Sequence, residues 1–182
     1  MKHSLIRARG FAAAALLAVG MTVSGIGSAA AQPNDYTALL IDPNVVTDST
    51  AYTAGPPTMN PGGQPGVSVA FNHRDGNRTI TDTVWVLSDP AAAAAAISQA
   101  QGSMANQIAN QKTQSVPVGT GGQLVSGTSP DGSKSVSVLY FTQGNAASTI
   151  EFSGPANDPA PSDGVIEMGQ QQVATIKSQL GS

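Results

Sequence analysis

Val67-Ser68-Val69-Ala70-Phe71-Asn72-His73-Arg74-Asp75-Gly76, followed by Ile80, Val84, Trp85 and Val86 and then by Ser88-Asp89-Pro90-Ala91-Ala92-Ala93, is the stretch from which the fold can be read. Val67, Val69 and Phe71 alternate with small or polar residues, the period of a strand with one buried face, and Asp75-Gly76 is a turn dipeptide. The chain then returns through Ile80 to Val86, so a β-hairpin is expected. Asp89 is placed to cap a helix and Pro90 to open it. Ala93, Ile97, Ala100, Met104 and Ile108 fall on one face of that helix at a period near 3.6, while Gly102 weakens it and is where a bend is expected.

Towards the C-terminus, Val116 with Val118 suggests a short strand. Residues 123–127, 135–142 and 147–153 suggest three more, joined at Pro130-Asp131-Gly132 and Gln143-Gly144-Asn145. Gly119-Thr120-Gly121-Gly122 is glycine-rich, but no Gly-Lys-Ser/Thr follows it, and it reads as a turn rather than a phosphate loop. Pro155, Pro159 and Pro161 interrupt the chain before Ser162 or Asp163 caps a last helix. Val165, Met168, Gln172 or Val173, Ile176 and Leu180 give that helix one apolar stripe. Antiparallel strands and two helices with single apolar faces make an α+β two-layer sandwich the simplest packing: a sheet of about five to six strands with both long helices on one face.

Towards the N-terminus, residues 47–66 hold four prolines, four glycines and several threonines, and read as a surface loop without regular structure. That loop is also a candidate carrier of O-linked sugar. Asn34, Asp35 and Asp42-Pro43 are cap signals for a short broken helix. Lys2, Arg7 and Arg9 precede an uncharged stretch, and Ala29-Ala30-Ala31 supplies small residues before Gln32, the pattern of a cleaved secretion signal over residues 1–31. An uncleaved segment would act as a single membrane anchor; the abrupt polar turn at Gln32-Pro33-Asn34-Asp35 favours cleavage and no stable anchor afterwards. The organisation is then signal 1–31, N-terminal helix and loop 32–66, and one α+β core 67–182.

Without the signal, five basic residues face eleven carboxylates, which leaves a net charge of −6. The five cations are scattered, so nucleic acid is not an expected partner, nor is an anionic lipid surface. The sequence has no cysteine, which removes disulfides, thiolate metal sites, cysteine nucleophiles and a lipidated N-terminal cysteine. No metal or cofactor is expected: only His73 among the histidines remains after processing, and no calcium, nucleotide or dinucleotide motif occurs.

Two catalytic readings can be framed. His73 with Asp75 and Ser68 would be a hydrolase triad, although no nucleophile elbow or oxyanion hole is evident and a solvated turn histidine explains it as well. Asp82 and Glu151 would be a carboxylate pair for glycoside hydrolysis, although lone strand carboxylates usually lie on the solvated face. The remaining candidates are apolar. Trp85, Met104, Ile108 and Met168 could line a cleft between sheet and helices, with ordinary core packing as the alternative for each.

Leu39-Leu40-Ile41-Asp42-Pro43 near the start, Ser88-Asp89-Pro90-Ala91-Ala92-Ala93 after the hairpin, and the closing helix from Val165 to Leu180 carry a resemblance. In this order of elements the chain resembles small exported mycobacterial domains: the extracellular sensor domain of PknH-type kinases, and LpqN-type lipoproteins with a PsbP-like α+β fold. The kinase sensor domains carry disulfides and the lipoproteins a lipidated cysteine, both of which this chain lacks. The resemblance implies a free, secreted relative in the extracellular space or cell envelope. It would be a non-enzymatic binding or sensor-like module for an envelope lipid or other apolar ligand, a glycan or a protein partner. A secreted hydrolase using His73 or Asp82 with Glu151 is the alternative.

Overall fold

The computed structural model describes residues 35–47 and 49–181, all within one unit, Pro33–Ser182. The secretion signal, the expected mature start at Gln32 and the cap signal at Asn34 lie outside the described residues. A 3-10 turn, Thr37–Leu39, leads to α1 (Pro43–Val46), β1 (Tyr52–Ala54), β2 (Thr58–Met59) and a second 3-10 turn, Pro61–Gly63. The hairpin follows as β3 (Gly66–His73) and β4 (Thr79–Val86), then α2 (Pro90–Met104). Four strands, β5 (Ala109–Ser115), β6 (Thr120–Thr128), β7 (Lys134–Gln143) and β8 (Ala146–Pro155), precede α3 (Ser162–Leu180).

All strands pair antiparallel in one eight-stranded sheet of order β1-β3-β4-β8-β7-β6-β5, with β2 also pairing β3. The sheet is therefore larger than the five to six strands expected. Two of the extra strands, β1 and β2, lie in the segment read as an irregular loop. They are three and two residues long and flank Pro56-Pro57, which lack the N–H groups a longer ladder needs. The strand expected at Val116 and Val118 lies earlier, at 109–115, where every residue after Ala109 is polar and exposed. Val116 and Val118 are buried in the connection that follows. Here apolar residues mark a plug under the core, and the edge strand itself has no apolar face to betray it.

The expectation of two layers with both helices on one face is also corrected. Along β7, Leu139 and Phe141 join the core that contains Val165, Met168 and Ile176 of α3, whereas Val136, Val138 and Tyr140 join the core that contains Ala93 and Ile97 of α2. Adjacent strand residues point to opposite faces, so α3 and α2 cover opposite faces of the sheet. Residues 135–141 of β7 are consequently all buried. The near-continuous apolar run in that strand was the sign of two-sided cover.

The helix caps explain the ends. Asp89 Oδ1 accepts from the N–H of Ala92 at 2.8 Å and Pro90 opens α2, as expected. The helix ends at Met104, so Ile108 lies beyond it rather than on its face. In α3 the cap position is Pro161, with no side-chain cap; Ser162 and Asp163 belong to the first turn, where the Asp163 carboxylate suits the positive end of the helix dipole.

Candidate functional site

The four cleft candidates divide between the two faces. Trp85 and Met104 are half-buried and Ile108 is buried, all on the α2 side of the sheet, where Trp85 and Met104 line one groove and Met104 and Ile108 an adjoining one. The Trp85 Nε1–H donates to the carbonyl of Pro61 at 3.0 Å, which fixes the indole against the N-terminal segment. Met168 is on α3, across the sheet, and only 2% exposed. A single cleft does not contain all four.

Strand alternation also separates the catalytic candidates. Ile80, Asp82 and Val84 face α3, whereas Thr81, Thr83 and Trp85 face α2, and Glu151 lines the groove on the α2 side. Asp82 and Glu151 thus point to opposite faces and cannot flank one glycosidic bond. Asp82, expected on a solvated face, is fully buried; desolvation pushes its carboxyl up to about 7, against the opposing hydrogen bond from the Ile41 N–H. Ser68 hydrogen-bonds Thr83 at 2.7 Å, next to the α2 face, while His73, an odd number of residues along β3, points the other way. His73 Nδ1 lies 2.9 Å from Asp75 Oδ1 and its ring meets Tyr52 edge-on at 5.0 Å between centroids. The triad is not assembled, and His73 is a half-buried turn residue.

On the α3 face the sheet and helix enclose a cavity that includes Met168, but none of the other three cleft candidates. About 250 Å³ opens beneath the first turns of α3, at the start of β4 and the end of β8. Its walls include Tyr52, Ile80, Phe152, Val165 and Met168. At the mouth the Arg78 guanidinium pairs with Asp75 of the hairpin turn and with Asp158 of the loop before α3. Both Asp158 and Arg78 line the cavity. Those pairs hold the Arg78 guanidinium above its usual range, and hydrogen bonds, led by one from the Asn77 N–H, hold the Asp75 carboxyl below its own. The mouth is polar, with one guanidinium between two carboxylates, and most of the interior is apolar. Met168 was the one lining residue singled out from the sequence as a site candidate; the others are gathered from α1, β1, β4, β7, β8, α3 and the loop before α3.

No family model matches this chain, and no curated protein matches it. Among solved structures, the extracellular domain of PknH from Mycobacterium tuberculosis has a similar fold, with a TM-score of 0.61 and 10% identity over 81% of this chain and 97% of that one. The resemblance to a PknH-type extracellular domain therefore holds at the level of the α+β fold. No helix among the described residues is long and apolar enough to cross a membrane.

Proposed function

We propose that this protein is a secreted, sensor-like binding module of the extracellular space or cell envelope, which holds a small apolar ligand in the cavity beneath α3 and catalyses no reaction. The observation that carries this reading is the 250 Å³ cavity, largely apolar inside, whose mouth is tied by ion pairs from Arg78 to Asp75 and Asp158. Its size is near the lower end of small-molecule sites, about 300–1,000 Å³, and its interior offers little to a polyhydroxylated glycan. The shared fold with an extracellular domain and the signal pattern of residues 1–31 support the location. The likeness to LpqN-type lipoproteins rests on the short motifs alone.

Native mass spectrometry of the protein recovered from its host's culture medium tests the proposal. The expected result is a small apolar adduct that is lost on denaturation. A bare chain, even after incubation with a lipid extract of the host envelope, would overturn it. Hydrolysis by the native protein that His73→Ala or Glu151→Gln abolishes would instead favour the enzyme reading.

A further inference from the structure

The groove on the α2 face, independent of the cavity beneath α3, carries a different chemistry. It has a volume of about 240 Å³ and runs between the last turns of α2 and the strands β4, β8 and β7. Trp85, Met104 and Val138 are among its walls, and Tyr140 and Glu151 lie within it. Register fixes this grouping, because Glu151 is flanked across the sheet by Thr81 on β4 and Val138 on β7, and Thr149 is paired with Tyr140.

Glu151 is half-buried, and no ion pair or hydrogen bond reaches its carboxylate among the described residues. Desolvation raises its carboxyl above the usual range, opposed only by the charge of Lys134. Burial, aided by the Glu151 charge, also pushes the Tyr140 hydroxyl up to about 12. A carboxylate partly withdrawn from water, with no direct ion pair, gains from an occupant that supplies the opposite charge. The other groups favour a soft, bulky cation. Trp85 offers aromatic surface and Met104 a polarisable thioether, surroundings that suit an ammonium head group, with the buried Tyr140 packed behind them. A metal ion would find too few ligands, since no group of three ligating side chains occurs among the described residues.

We propose that this groove is a binding site for a small organic ammonium ion, with Glu151 as its counter-charge, Trp85 as its aromatic wall and Met104 beside it. Choline, with its neutral isostere 3,3-dimethyl-1-butanol as control, is the probe. Trp85 is the sole tryptophan, so its emission reports the groove directly. Choline should change that emission saturably at concentrations where the isostere has no effect. Glu151→Gln should weaken choline binding at least about tenfold, because a desolvated charge pair is lost, and should melt no lower than wild type, because an unpaired carboxylate is removed. Ser103→Lys, on the exposed rim of the same groove, places a tethered ammonium there and should abolish the choline response while raising the melting temperature. Equal responses to choline and isostere, or undiminished choline binding by Glu151→Gln, would overturn the proposal. If Glu151→Gln fails to fold, a wild-type choline response in Ser103→Lys would overturn it alone.

Discussion

The buried carboxylate of Asp82 accepts a hydrogen bond from the backbone N–H of Ile41, through Oδ2 at 3.2 Å, and so ties the N-terminal segment to the sheet face beneath α3. Gln172 of α3 adds a second tie by donating to the carbonyl of Leu39 at 2.6 Å. Asp82 Oδ1 has no hydrogen-bond partner among the described residues. Its carboxyl is pushed up to about 7 in the folded protein and returns to about 3.9 in the unfolded chain. The folded state therefore binds the extra proton, and this contribution to stability is fully present below about pH 4 and lost as the pH rises through about 7. The slope between those limits is up to about 1.4 kcal/mol per pH unit. Urea unfolding at several pH values should show it in the wild type and lose most of it in Asp82→Asn. The Asp131 carboxyl, held down at about 2 chiefly by the Ser129 hydroxyl, acts with the opposite sign and only at lower pH. An unchanged pH profile in Asp82→Asn would refute the assignment.

Gly169 and Gly102 are both helical glycines with opposite expected responses to alanine. A Cβ on Gly169 would come within 2.4 Å of Leu139 Cδ2 and 2.8 Å of Val118 Cγ1, in the packed layer between α3 and β7. Gly169→Ala should lower stability by about 1–3 kcal/mol through overpacking. Nothing lies within 4 Å of a Cβ on Gly102, so Gly102→Ala should gain up to about 1 kcal/mol from helix propensity. Chemical denaturation of the two variants against wild type measures both, and equal signs would disprove the account.

The contrast between those two glycines shows where the sequence is legible. Gly102 could be recognised as a weak point in a helix from its neighbours alone, just as the hairpin, the Asp89 cap and the α3 stripe could, because each is set by residues close in the chain. The closeness of Gly169 to Leu139, the burial of Asp82 and the assignment of α2 and α3 to opposite faces depend on partners far apart in sequence. An alanine-rich α2 has too weak an apolar face to say which side of the sheet it covers. The cavity beneath α3 was hidden for the same reason, its lining being gathered from β1, β4, β8, α3 and the loop before α3.

Arg78 fastens the loop at the cavity mouth. Its guanidinium joins Asp75 on the hairpin turn to Asp158 on the loop before α3, and all three side chains are partly exposed. Surface pairs of this kind contribute little to global stability. Arg78→Ala should leave the unfolding midpoint near the wild-type value yet accelerate hydrogen exchange in residues 155–161, and high salt should do the same to the wild type by screening. Unchanged exchange in that loop would show that the pairs do not hold it.

The cavity itself can be closed from one side and widened from the other. Ala160 is half-buried at its edge, and Met168 is buried at its inner wall. A small apolar probe such as 1-octanol should raise the melting temperature of the wild type, since a ligand at about a hundredfold excess over its Kd adds about 2.7 kcal/mol to the folded state. Ala160→Phe fills the entrance and should remove that shift without lowering the melting temperature of the free protein. Met168→Ala should cost the free protein about 2–5 kcal/mol through the enlarged void. The same void should admit longer alcohols, so the chain length giving the greatest shift should increase in Met168→Ala. Parallel thermal melts over an alcohol series read all three forms. If the shift is the same in wild type and Ala160→Phe, the alcohol is binding elsewhere and the cavity beneath α3 is not the site.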